Sequence, residues 1–199
     1  MRRPEDILSF WFGQIDPEKA VPPDRGKLWF GGAKETDDIL REKFLIDIRC
    51  AAAGDYDSWS DSARETLALI LLLDQFPRNV FRNTPEAFAT DAKALSFSLT
   101  GIDAGFDREL SVVERAFFYL PMEHSEELAM QQKSVAAFRE LIDDASPAQK
   151  QICESYYDYA VRHYDIIARF GRFPHRNKIL GRTSTDEEVD FLQQPGSSF

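Results

Sequence analysis

Two similar polar segments carry residue types that bind anions and transfer protons. They are Asp74-Gln75-Phe76-Pro77-Arg78-Asn79 and Gly171-Arg172-Phe173-Pro174-His175-Arg176-Asn177. The planar guanidinium of arginine matches the oxygens of carboxylates and phosphates. Each segment follows a helical pattern, and proline interrupts the helical hydrogen-bond ladder. We therefore predict that both helices end there and direct arginine and asparagine into loops.

A cationic site in an acidic protein is the first functional hypothesis. The net charge is −10, yet residues 162–182 contain six basic side chains and one acidic side chain. A groove that binds a small anionic ligand or a peptide carboxylate would use the basic and amide side chains of the two segments and their flanks. These are Arg78, Asn79, Arg82, Arg169, Arg172, His175, Arg176 and Asn177. The alternative is a solvated surface stripe.

Asp74 is the first candidate for acid–base chemistry. It shares a helix face with Leu67, Ile70 and Leu71, so we expect it to be at least partly buried. A buried carboxylate near a helix C-terminus needs a cation or several donors. Asp74 is therefore either half of an ion pair that joins two helices or a general base.

The three histidines lie in or beside the polar segments. We predict that His124 lies near a helix N-terminus, where it could transfer protons with Glu123 or Glu126 setting its tautomer. His163 falls on an apolar helix row, which favours a core histidine, although a charged stripe with Asp165 runs beside it. The catalytic candidates are Asp74, Glu123, His124, His163 and Asp165.

Several function classes lack support in the sequence. No zinc-ligand spacing, phosphate-binding glycine loop or nucleophile elbow is present, so we predict no metal and no cofactor. The acidic net charge argues against nucleic acid. Cys50 and Cys153 stand alone within helical patterns, which indicates buried, reduced thiols and a cytoplasmic protein. No apolar run reaches the length of a membrane span and no signal peptide is visible.

Every strong hydrophobic period in the chain is helical, which predicts one all-α domain over residues 1–199. The first predicted helix starts at Pro4 and is followed by a connection over 13–32. The next four predicted helices run from Thr36 to Gly54, from Ser60 to about Phe76, from Thr84 to Gly101 and from Ser111 to Pro121. The sixth starts at Ser125, the seventh runs from Ser146 to Gly171, and the last starts at Thr185. Short turns between such helices give a bundle or stacked antiparallel hairpins, and we favour the stack.

The polar segments together resemble the domain of unknown function 924 family. The segments that carry the resemblance are residues 7–12, 27–30, 73–79, 81–82, 121–126 and 162–182. The resemblance implies an all-helical, TPR-like superhelix in a soluble protein of bacterial type. It implies no reaction, so the residue roles above rest on side-chain chemistry alone.

Three functions remain open at this point. We favour a binding module for a small anion or a peptide, because this requires only that the arginines cluster. The second is an enzyme with hydrolase-type acid–base chemistry on a small anionic substrate, which also requires a histidine beside a carboxylate. The third is a structural network that holds helices together.

Overall fold

The computed structural model describes residues 2–198, and within that range every regular element is helical. This confirms the predicted all-α class. The α-helices in chain order are α1 Pro4–Phe12, α2 Pro23–Phe30, α3 Lys34–Ala53, α4 Ala63–Ile70, α5 Phe76–Val80, α6 Asp91–Asp103, α7 Val112–Glu123, α8 Leu128–Asp144, α9 Lys150–Phe170 and α10 Asp186–Leu192. A π-helical segment, Leu71–Gln75, connects α4 to α5 without a break.

Local capping signals define several of these helices. Ser111 and Glu114 form a capping box at the start of α7, and Thr185 and Glu188 form another at the start of α10. α3 and α9 each end at a glycine in the left-handed region, with φ of 97° at Gly54 and 68° at Gly171. These predicted boundaries are confirmed, because each depends on side chains within one helical turn.

Other predicted boundaries are wrong, and the hydrogen bonds explain two of them. The hydroxyl of Ser146 donates to the Pro17 carbonyl at 2.6 Å, so it caps no helix and α9 begins at Lys150. The hydroxyl of Ser125 accepts from the Glu127 amide at 3.2 Å, ahead of α8. Three further boundaries differ: α2 lies within the predicted connection, α3 begins two residues before Thr36, and α6 runs from Asp91 past Gly101 to Asp103.

Two prolines do not end helices as predicted. Pro77 lies in the first turn of α5, directly after the π-helical segment. A first-turn proline loses little, since its missing N–H has no intrahelical partner there. Pro121 lies inside α7, and the next turn still closes through the His124 amide, which donates to the Leu120 carbonyl at 2.9 Å.

The helices pack around an aromatic core and include one clear antiparallel pair. Trp11, Phe44, Phe76 and Phe117 are buried. The ring of Trp11 contacts those of Phe76 and Phe117, and the ring of Phe44 contacts that of Phe76. The start of α7 meets the end of α8 through Arg115, whose Nη1 lies 2.6 Å from a carboxylate oxygen of Asp144. α7 and α8 are therefore antiparallel, while a TPR-like superhelix stays a prediction.

Two further sequence expectations concern the thiols and a membrane. Cys153 is buried and Cys50 is half-buried, and both are free thiols. The expectation of full burial is thus wrong for Cys50. Among the helices of residues 2–198, none has both the length and the apolar character that a bilayer span requires.

Candidate functional site

The π-helical segment carries Asp74, a buried carboxylate that is surrounded by polar side chains. Asp74 has no exposed surface, which confirms its predicted burial. Its carboxylate accepts a hydrogen bond from Gln75 Nε2 at 2.5 Å and lies 3.2 Å from Arg78 Nη1. The same Nη1 donates to the Asp74 carbonyl at 2.7 Å. A π-helical turn is rare and often marks a functional position in a helix.

His124, at the C-terminal end of α7, contacts Asp74. Its Nδ1 lies 2.8 and 3.0 Å from the two carboxylate oxygens of Asp74. Burial opposes ionisation of Asp74, but the charge of Arg78 and the interactions with His124 outweigh it and hold the pKa of Asp74 below its usual range. An ionised carboxylate accepts a hydrogen bond, so Nδ1 carries the proton. The lone pair of His124 is therefore on Nε2.

The environment keeps His124 uncharged at neutral pH. Burial lowers its pKa, the positive charge of Arg78 lowers it further, and Asp74 opposes both effects. The side chain is still 13% exposed, so solvent reaches it. The predicted position at a helix N-terminus is wrong, because α7 continues through Pro121 and His124 is its C-terminal cap. Asp74, in place of the predicted Glu123 or Glu126, therefore sets the tautomer.

Arg78 and Arg176 bring the two polar segments together at Asp91. Arg78 forms two hydrogen bonds of 2.9 Å with the carboxylate of Asp91. Arg176 Nη1 lies 3.6 Å from Asp91 and donates to the His124 carbonyl at 3.0 Å. The ring of Phe88 lies 5.7 Å from the guanidinium of Arg78 and 4.8 Å from that of Arg176. We call the set Asp74, Arg78, Phe88, Asp91, His124 and Arg176 the polar cluster.

A second acid–histidine pair, Glu123 and His163, lies next to His124 of the polar cluster. Oε1 of Glu123 is 3.3 Å from Nδ1 of His163, and this Nδ1 is also 2.8 Å from the Tyr159 carbonyl. Burial raises the pKa of Glu123 to about 8, with a contribution from the charge of Asp74. Burial also lowers the pKa of His163 well below its usual value. At neutral pH both side chains are therefore uncharged.

A clamp of hydrogen bonds holds the segment that carries Arg176 against the end of α7. Glu126 accepts from the Phe173 amide at 2.8 Å and from Arg182 at 2.6 and 3.0 Å. Arg182 also donates to the Phe173 carbonyl at 3.0 Å. Phe173 lies in turn 4.4 Å from the guanidinium of Arg176. The clamp therefore fixes the position of Arg176 relative to His124.

Several predicted ligand residues lie in other ion pairs. Arg82 pairs with Asp37 at 2.7 Å and contacts Asn79 at 3.0 Å. Arg169 pairs with Glu187 at 2.8 Å. These arginines bind acids of α3 and α10, respectively, and lie apart from the polar cluster. The structure therefore does not gather all eight predicted ligand residues into one groove.

Four more predicted residues lie beside the polar cluster or away from it. Arg172 and Asn177 both contact Glu188, at 2.6 and 3.2 Å, and so join the end of α9 to α10. His175 lies near the clamp, with its ring 5.6 Å from that of Phe173. Asp165 is exposed on α9 while His163, two residues earlier, is buried. Side chains two residues apart diverge on a helix, so Asp165 does not orient His163.

Sequence reasoning missed Asp91 and Phe88. Asp91 begins α6 and Phe88 lies in the 3₁₀ turn Pro85–Phe88 just before it. An acid in a first helical turn is common for reasons of the helix dipole, so the local sequence gave no signal. Within residues 2–198, no three or more His, Cys, Asp or Glu side chains are grouped to hold a metal ion.

Comparisons with known proteins agree with the resemblance seen in the sequence. The family described as bacterial protein of unknown function (DUF924) matches residues 7–196. A solved structure, the protein of unknown function ATU0120 from Agrobacterium tumefaciens, has a TM-score of 0.81 and 38% identity, with 96% of each chain covered. No curated protein matches the chain significantly. The chain therefore belongs to the DUF924 family, whose function is not known.

Proposed function

We propose that the chain is an enzyme in which His124, oriented by Asp74, transfers protons to and from a small anionic substrate. The observation that carries this proposal is the 2.8 Å contact between His124 Nδ1 and the buried carboxylate of Asp74. A carboxylate on one ring nitrogen fixes the tautomer and leaves the other nitrogen for chemistry. Such a pair in a partly open polar cluster is typical of a general base.

The side chains of the polar cluster suit hydrolysis. Nε2 of His124 accepts a proton from an attacking water, and the ionised Asp74 stabilises the imidazolium that forms. Arg176, the cluster arginine that donates to no carboxylate within residues 2–198, supplies positive charge to the oxygen on which negative charge develops. His124 then returns the proton to the leaving group. Because His124 is uncharged at neutral pH, it is ready to act as the base in the first step.

Geometry favours this proposal over the wide anion-binding groove expected from the sequence. Arg82, Arg169 and Arg172 are each paired with an acid, so they have no net charge to offer a ligand. The side chains of Arg78 and Asp91 are only 19% and 22% exposed, which suits a small molecule better than a peptide. Binding without chemistry is the second candidate, and the incomplete pairing of Arg176 supports it.

The test compares wild-type protein with His124→Asn on a panel of small anionic esters, amides and phosphomonoesters, with product release followed by NMR. We expect hydrolysis of at least one panel member and a loss of about 10²–10⁴-fold in His124→Asn, the usual range for a general base. The exposed Asp165→Asn variant serves as the control and should retain full activity. Equal turnover by wild type and His124→Asn would contradict the proposal.

A measurement that needs no substrate complements the panel. Diethyl pyrocarbonate modifies accessible, uncharged imidazole, and peptide mass spectrometry distinguishes the three histidines. We expect His124 to react faster than the buried His163, and more slowly in Asp74→Asn, where the orienting carboxylate is lost. Slow labelling of His124 together with no turnover would refute the acid–base role. Fast labelling with ligand binding but no turnover would favour the second candidate.

A further inference from the structure

Arg176 is buried, packed against two aromatic rings and incompletely paired. Its guanidinium lies 4.8 Å from the centre of the Phe88 ring and 4.4 Å from that of Phe173. Its side chain is 7% exposed. The sole hydrogen bond that this side chain makes within residues 2–198 runs from Nη1 to the His124 carbonyl, and its buried Nε has no partner there. Buried donors are normally satisfied. Arg115 and Arg182 also have one unpartnered nitrogen within residues 2–198, but each of them donates to a carboxylate, and Arg176 donates only to a carbonyl.

Arg78 provides a direct contrast within the same cluster. It donates twice to Asp91 at 2.9 Å and also contacts Asp74 at 3.2 Å. Asp91 lies 3.6 Å from Arg176, beyond hydrogen-bond distance. Both acids of the polar cluster therefore neutralise Arg78 first. Within residues 2–198, the positive charge of Arg176 is therefore left without a hydrogen-bonded counter-ion.

The charge of the cluster limits which anion could complete the pairing. Asp74 and Asp91 balance Arg78 and Arg176, while His124, His163 and Glu123 are uncharged at neutral pH. One added negative charge would find Arg176 available, and it would be balanced when His124 takes up a proton. A second negative charge would face two carboxylates in a poorly hydrated site, where like charges repel strongly.

We propose that Arg176 anchors a single carboxylate group of a small monoanionic substrate, and that Asp91 excludes dianions such as phosphate esters and sulfate. This inference rests on the proposed acid–base function and specifies its substrate class. The planar guanidinium suits a planar carboxylate. Phe88 is partly exposed beside Arg176, so it offers an apolar wall to the rest of the ligand. The bond from Arg176 to the His124 carbonyl keeps the anchored group next to the acid–base residue.

The experiment titrates acetate, benzoate and sulfate into the full chain at pH 7 and constant ionic strength, with binding followed by NMR. We expect benzoate to bind more tightly than acetate, because its ring packs on Phe88, and at least tenfold more tightly than sulfate. Arg176→Met should weaken benzoate binding at least tenfold. Arg139→Met, an exposed arginine on α8 that stacks on Tyr157, is the matched control and should change nothing.

Two further variants keep the test decisive if Arg176→Met does not fold. Arg176→Lys keeps the charge but loses the planar fork, so benzoate binding should weaken at least threefold. Asp91→Asn removes one negative charge, so sulfate binding should tighten at least threefold. Sulfate that binds wild type as tightly as benzoate, or benzoate that binds both Arg176 variants as tightly as wild type, would overturn the inference.

The outcome is separable from that of the proposed function. His124→Asn should bind benzoate within threefold of wild type, since the anchor is Arg176. Turnover that depends on His124 without any carboxylate binding would overturn this inference and leave the acid–base role in place. Carboxylate binding that depends on Arg176 without turnover would support this inference and overturn the acid–base role.

Discussion

Replacing Asp74 with asparagine removes the charge of the buried carboxylate and keeps its shape. In wild type the carboxylate accepts from Gln75 at 2.5 Å, contacts His124 at 2.8 Å and lies 3.2 Å from Arg78. The amide of asparagine would face these donors with one acceptor oxygen and one donor group. Breaking a buried ion pair from one side costs about 3–5 kcal/mol in free energy of unfolding. An overlapping range of about 3–6 kcal/mol follows from losing about two hydrogen bonds to a charged acceptor, at about 1.5–3 kcal/mol each.

Urea denaturation at pH 7 measures this cost. We expect the midpoint to fall in Asp74→Asn with an unchanged m-value, and the melting temperature to drop by about 6–20 °C at roughly 2–4 °C per kcal/mol for a chain of this size. The exposed Asp165→Asn should stay within about 0.5 kcal/mol of wild type. A loss below about 1 kcal/mol for Asp74→Asn would show that the carboxylate is not stabilised by its partners, and would refute the reasoning.

The same variant tests two predictions about pH, one on stability and one on the pKa of His124. The pKa of Asp74 is lowered in the folded state, so its stabilisation is complete above the unfolded value of about 3.9 and is lost as the pH falls through the folded value. The difference between wild type and Asp74→Asn should therefore shrink in acid. Asp74 also raises the pKa of His124 against the effect of burial. An NMR titration should therefore find a lower His124 pKa in Asp74→Asn than in wild type.

Two further predictions concern stability. The pKa of Glu123 is raised to about 8 in the folded state. The free energy of unfolding should therefore fall as the pH rises from about 4.5 to 8, by up to about 1.4 kcal/mol per pH unit. Urea denaturation should show a flatter pH dependence in Glu123→Gln, and an unchanged dependence would contradict this prediction. In Gly101→Ala the new Cβ would lie 2.5 Å from the Phe118 ring, so thermal unfolding should show a loss of about 1–3 kcal/mol from overpacking. Gly26→Ala in α2 meets no atom within 4 Å, so it should stabilise slightly through helix propensity; equal effects at the two glycines would contradict the packing argument.

The sequence predicted those parts of the fold that depend on neighbours along the chain. The capping boxes at Ser111 and Thr185 and the glycine ends at Gly54 and Gly171 are confirmed, because each is decided within one turn. Pro77 failed as a helix end because the π-helical segment before it restarts the ladder. Ser146 failed as a cap because it bonds to Pro17, far away in sequence. Long-range partners of this kind have no local signature.

The candidate site shows the same division. Burial of Asp74 followed from its helix row and is confirmed. Its pairing with His124 is a contact between residues fifty positions apart, so the sequence could offer only a set of possible acids. Glu123 and Glu126 were natural choices because they are adjacent to His124, but the end of α7 turns Glu123 towards His163. Glu126 binds Arg182 in the clamp.

A buried or half-buried structural arginine in this chain is hydrogen-bonded to an acid, even where one of its nitrogens has no partner among residues 2–198, as in Arg115 and Arg182. Arg172 donates twice to Glu188 and once to the Thr183 carbonyl, and Arg78 uses both Asp91 oxygens. The side chain of Arg176 is more buried than that of Arg172 or Arg78, and within residues 2–198 it makes a single hydrogen bond, to a carbonyl, although the clamp around Phe173 holds it in place. A charge that is desolvated and positioned without a hydrogen-bonded counter-ion lowers stability. An incoming anion would relieve that cost, and this distinguishes Arg176 from an arginine that merely joins helices.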